Sequence, residues 1–215
     1  MRARRAGTAA GAAAAAAALL LTGCGDDGDP SSGGRIEGAK TDGPERSAEP
    51  SASGPGAPEF DLPQDVEVEI AEDTTGDAKK DEILRDHGYA LMAQQEAYAA
   101  TEATPNFAAY WDGEAAATFE ADFAVYRKDG VTITGLDVFY FREVTSLKDG
   151  RAVVAYCEDQ SKAYLKDAET GKVDRTPATL DSFIDARATM EKGADGWKVV
   201  DYQATRGSKE CRDEA

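Results

Sequence analysis

The stretch VTITGLDVFYFREVTS (131–146), followed after a short turn by RAVVAYCEDQSKAY (151–164), decides the fold. β-Branched and aromatic residues recur there with a period of two, as in strands with one buried face. Lys148-Asp149-Gly150 between them is turn chemistry, so the two segments form a hairpin. Segments 179–190 and 197–206 have the same character, and 167–174 and 193–196 read as the turns that join them. Four consecutive strands linked in this way give an antiparallel meander. Gly135 is placed to form a bulge that bends the first strand and curves the sheet.

The chain before this sheet has helical periodicity. Asp77 is positioned as an N-cap, with Asp81 and Glu82 near the positive end of the helix dipole. The helix from Ala78 to about Thr101 carries Ile83, Leu84, Leu91 and Tyr98 on one side, and His87 lies on that side too. Thr104-Pro105 is a second start signal. Phe107, Tyr110, Trp111, Ala115, Phe119, Phe123 and Tyr126 follow at three- and four-residue steps, with Gly113 dividing a short helix from a longer one that ends at Lys128-Asp129-Gly130. Val66 to Ile70 alternates strictly and reads as a short strand or extended arm. Helices followed by a curved sheet make an α+β layout.

The N-terminal third has a different character. Met1 to Arg5 carries three positive charges and Ala6 to Thr22 none, the pattern of a secretory signal too weakly apolar to stay in a bilayer. Leu21-Thr22-Gly23-Cys24 resembles the lipobox of bacterial lipoproteins. That resemblance implies cleavage after residue 23, a diacylglyceryl group on the Cys24 thiol, and a fatty acyl chain such as palmitate on the new amino terminus. It places the protein on the outer face of the cell membrane. Residues 24–64 then form the lipidated cysteine and an acidic Gly/Pro/Ser-rich tether, expected to be disordered. Forty such residues span about 35 Å. Residues 65–215 form the folded domain.

Three cysteines are an odd number for an exported chain. If Cys24 is lipidated, Cys157 and Cys211 remain, either as a bridge or as two free buried thiols. The net charge of −17 argues against nucleic acid and against anionic lipid as partners of the protein surface, leaving the lipid anchor as the membrane link. With one histidine and no close Cys/His spacing, no metal site is expected. No glycine-rich phosphate loop or Gly-x-Ser-x-Gly elbow appears, and no cofactor is expected.

Tyr110-Trp111-Asp112-Gly113-Glu114-Ala115 leading into a helix, and Asp195-Gly196-Trp197-Lys198-Val199 opening the last strand, give residues 78–206 a likeness to the cone-shaped NTF2-like superfamily, which includes SnoaL- and ketosteroid-isomerase-like domains. The lipobox, the acidic tether, TGDAKKDEIL (75–84) and YCEDQS (156–161) resemble small actinobacterial lipoproteins. These resemblances imply a four-stranded sheet wrapped by helices, a pocket between them, and a Cys157–Cys211 bridge pinning the tail to the sheet.

His87, Tyr98, Trp111 and Tyr140 are the candidate pocket residues, with no catalytic residue assigned. His87 is read first as a core histidine satisfied by a backbone group. Of Glu158 and Asp159, neighbours on a strand, at most one faces inward unless a bulge intervenes. The expected function is a non-catalytic binding or interaction module for an unknown protein or small-molecule ligand. The alternatives are a pocket enzyme of isomerase, dehydratase or cyclase type with His87 as acid or base, and a structural homodimer.

Overall fold

The structure is a computed structural model that describes residues 57–72 and 74–215. The signal, Cys24 and the tether up to residue 56 lie outside the described residues. The elements run β1 (Val66–Ile70), α1 (Ala78–Ala100), α2 (Pro105–Tyr110), α3 (Gly113–Asp129), β2 (Val131–Lys148), β3 (Arg151–Asp167), β4 (Val173–Asp174), β5 (Phe183–Lys192), β6 (Trp197–Arg206) and α4 (Lys209–Asp213). The layout is α+β, with helices packed on a curved sheet ordered β1-β2-β3-β5-β6.

The sheet has six strands rather than the expected four. The meander β2-β3-β5-β6 is antiparallel throughout, while β1 adds to its edge in parallel and β4 pairs with β3. The alternating arm 66–70 thus finds the free edge of β2. The expected turn at 167–174 is a tight return in which Val173 and Asp174 pair back onto Lys166 and Leu165. The packed chain also starts earlier than Asp65. Phe60 and Leu62, assigned by composition to the tether, lie against the core, and the Asp61 N–H donates to Glu96 at 2.8 Å.

The helix signals act as their chemistry requires. Asp77 accepts from the N–H groups of Lys79 and Lys80, Thr104 from Phe107, and Asp112 from Gly113. Gly130 closes α3 in the left-handed conformation. Phe107, Trp111, Phe119 and Phe123 interlock in one aromatic cluster, with Phe107 and Trp111 stacked at 5.7 Å. Burying each such ring contributes roughly 1.5–3 kcal/mol. Helix α1, covered by the sheet on one side and by α2 and the 57–62 arm on the other, is buried almost all round between Ala90 and Ala97.

Three register shifts break the β2–β3 pairing. Two place an extra residue on β2 and one places it on β3, and each exchanges which side chains face the helices. Along β2 the inward set therefore passes from Ile133, Asp137 and Phe139 to Arg142 and Val144, and then to Leu147. Gly135 has φ +92°, and a Cβ there would meet the Lys162 carbonyl oxygen at 2.2 Å, so glycine is required where β2 crosses β3 closely. On the outer face Cys157 and Cys211 are joined, as the resemblance implied, and hold α4 against the sheet.

The bridge closes a loop of 54 residues. Cys157→Ser/Cys211→Ser is expected to lose about 4 kcal/mol of unfolding free energy. Urea titration of the oxidised and double-variant chains checks this, and equal midpoints would overturn it.

Candidate functional site

A cavity of about 600 Å³ lies between α1, α3 and the inner face of the sheet. Gln94, Gln95 and Tyr98 enter it from α1, Phe119, Asp122 and Tyr126 from α3, Asp137 from β2, Glu158, Gln160 and Ala163 from β3, and Tyr202 and Arg206 from β6. Each reaches the cavity by its element's period. Residues 94, 95 and 98 share one face of α1, and 158 and 160 point the same way along β3.

The expectation that only one of Glu158 and Asp159 faces inward holds. Glu158 is 3% exposed, while Asp159 turns away and its Oδ1 accepts the Ser161 N–H at 2.7 Å across the bulge that follows. The partner of Glu158 is a residue not singled out from the sequence, Asp137, which is 5% exposed. The two carboxyls line the same cavity, and each bears on the other's protonation. Gln95 Nε2 donates to Asp137 Oδ2 at 2.9 Å, and Gln160 Nε2 donates to Glu158.

Burial, then the neighbouring Glu158 charge, raises the Asp137 carboxyl well above the ordinary carboxylate range. Burial also raises Glu158, against hydrogen bonds from Gln160 and Asp137 and the charge of Arg206. Tyr98 and Tyr202 are raised chiefly by burial and stay neutral donors at physiological pH. Tyr98 OH reaches Asp122 at 3.4 Å. Two buried acceptors of the lining, Gln94 Oε1 and Asp137 Oδ1, have no donor among the described residues.

Of the four expected pocket residues, Tyr98 alone lines this cavity. Trp111 belongs to the aromatic core and its Nε1 donates to Ala90 O at 2.7 Å. Tyr140 sits on the other face, because the β2 bulge follows it, and its OH donates to Cys211 O at 2.5 Å. Burial holds the phenol at about 12. His87 is in the core against Tyr156, with ring centroids 4.7 Å apart. Neither ring nitrogen has a partner among the described residues, so the backbone bond expected for it is not made. Burial first, and then the Arg142 charge, lowers its pKa well below the ordinary value, so it stays neutral.

Asp137 was legible in one respect: it interrupts the odd-numbered series Ile133, Gly135, Phe139 with a carboxyl on what must be the inner face. Among the described residues, no group of three His, Cys, Asp or Glu is arranged to hold a metal. The exposed large apolar side chains there, Val125, Phe141 and Leu165, sit on three different elements.

No family model matches the chain, and no curated protein matches it. Among solved structures it is similar to a ketosteroid isomerase-like protein from Erwinia carotovora atroseptica, at 17% identity over 55% of this chain and 92% of that one, TM-score 0.37. A candidate dehydratase of the NTF2-like family from Streptomyces avermitilis matches at 14% over 61% and 98%, TM-score 0.39. The Kfla4162 protein from Kribbella flavida matches at 13% over 61% and 93%, TM-score 0.38. Identities of 13–17% say nothing of what this chain binds or does.

Asp137 holds its proton more tightly in the folded chain than in the unfolded one, with Glu158, Asp159, Gln95 and Arg206 around it. The stability this contributes is fully present below the ordinary carboxylate pKa and is lost as pH rises through the raised folded value. Asp137→Asn removes that loss, so the stability of the variant relative to the parent is expected to grow as pH rises from 4 to 8. Urea midpoints across that range measure it, and a pH-independent difference would overturn it.

Proposed function

We propose that this chain is a lipoprotein held at the outer face of the cell membrane, and that its cone binds a small polar molecule without transforming it. The observation that carries the binding reading is the cavity itself. A purely structural cone would be packed solid, whereas here about 600 Å³ is bordered by two buried carboxyls and by an amide oxygen without a donor. The anchor rests on Leu21-Thr22-Gly23-Cys24 and on the odd cysteine count, which closes once Cys157 and Cys211 are paired.

Acid–base chemistry is the second reading, and the two buried carboxyls Asp137 and Glu158, both raised by burial, are what favours it. His87 has no part in it, because it does not line the cavity.

Ala163 faces the cavity from β3, so Ala163→Trp fills the space without touching the core. In an NMR screen of small polar compounds, hits on the parent should shift Tyr98 and Tyr202 resonances and be lost in the tryptophan variant. Hits that survive the filling would overturn the cavity as the site. Conversion of a bound compound, abolished in Asp137→Asn, would select the catalytic reading instead. Cys24→Ala is expected to release the protein from membranes into the medium, and unchanged membrane retention would refute the anchor.

A further inference from the structure

The lining of the cavity is unbalanced in charge and in hydrogen-bonding capacity. Glu67, Asp122, Asp137, Glu158 and Asp174 contribute five carboxyls, and Arg206 is the one basic side chain beside them. The Arg206 guanidinium is turned to the Asp181 carbonyl at 3.2 Å. Gln94, which is 5% exposed, brings to the cavity an Oε1 that receives no hydrogen bond among the described residues. Asp137 Oδ1 receives none there either. Two acceptors of the cavity are therefore left without a donor among the described residues.

Aromatic rings also line the cavity. Phe119 and Tyr202 lie 5.1 Å apart, and Tyr98 and Tyr126 also 5.1 Å. At the rim, the Arg175 guanidinium already sits 5.1 Å over the Tyr164 ring, a cation on an aromatic face.

We infer that the cavity takes an organic cation, an alkylammonium whose N–H groups meet the Asp137–Glu158 carboxyls and Gln94 Oε1 while its apolar part lies against Tyr98, Phe119 and Tyr202. This rests on the reading of the cavity as a small-molecule site. An ammonium supplies three donors and no acceptor, which suits the two open acceptors of the lining. Its charge also serves as a counter-charge to the buried carboxyl pair. An anion would face five carboxyls, and a hydroxyl compound would bring one donor where several are wanted. A bare metal ion would leave the aromatic wall without a function.

The test compares three probes of one shape on the purified full chain, 2-phenylethylammonium, 2-phenylethanol and phenylacetate, by calorimetry and by the Tyr98 and Tyr202 resonances. The ammonium is expected to bind at least tenfold more tightly than the alcohol, and phenylacetate to bind more weakly still. Asp137→Asn/Glu158→Gln should bring the ammonium down to the affinity of the alcohol. Should that variant fail to fold, Gln94→Leu keeps the carboxyl pair and is expected to cost the ammonium at least threefold and the alcohol nothing. Equal or tighter cavity binding of the alcohol or phenylacetate, or an ammonium preference that survives these variants, overturns the cation assignment and leaves the cavity as a small-molecule site. Failure of all three probes to move Tyr98 or Tyr202 at millimolar concentration overturns both.

Discussion

Side chains of a strand alternate between two faces, and only an extra residue can exchange the faces. β2 and β3 are long strands, 18 and 17 residues, and three such exchanges occur between them. The placement of the interior follows from where those exchanges fall. Before the β2 bulge after Tyr140, odd-numbered residues face the helices and bring in Asp137 and Phe139; beyond it, even-numbered residues bring in Arg142 and Val144. The bulge on β3 leaves Glu158 and Gln160 on the inner face and passes it to Ala163. The same bends curve the sheet enough for α1 and α3 to sit within its concave side.

A concave sheet that carries carboxyls inward must meet polar groups on the helix it wraps. Helix α1 supplies them at the right depth. Gln95 bonds Asp137, and Asp86 Oδ2 accepts the Trp197 N–H at 3.0 Å where β6 begins. At that turn Gly196 has φ +136°, and a Cβ would lie 3.0 Å from the Asp86 carboxylate. Arg142 reaches the same helix, donating to Leu84 O at 2.8 Å and to Ala71 O at 2.7 Å, and Gly88 leaves room for its guanidinium. Glu96 accepts from Asp61, Thr104 and Asn106, tying the arm and the α2 cap to the other side of α1. Apolar packing holds the aromatic end of the cone, and hydrogen bonds to α1 set its orientation on the sheet.

Much of the fold was legible because its signals are local. The Asp77 and Thr104 caps, Gly113 dividing two helices, Gly130 ending α3 and the period-two segments each act within a few residues of chain. The parallel pairing of β1 was not, because an alternating pentapeptide names no partner. Nor was the packing of Phe60 and Leu62, two isolated side chains in a polar stretch whose hydrophobic contacts lie on α1 and its neighbours. His87 and Trp111 were rightly placed on buried faces, but burial alone does not separate a wall of a cavity from the middle of a core. The candidate site was therefore legible in Tyr98 and half legible in Glu158.

The sequence by itself determined the α+β order of elements, the helix ends, the antiparallel meander and the two cysteines available to pair, since each depends on residue type and spacing along the chain. Tertiary structure alone decided that Asp137 and Glu158 meet, that Tyr140 turns to the outer face, and that space remains between α1, α3 and the sheet. The physical reason is parity. One extra residue in a strand reverses the facing of every side chain beyond it, and where it is inserted is settled by the partner strand and the helices packed above.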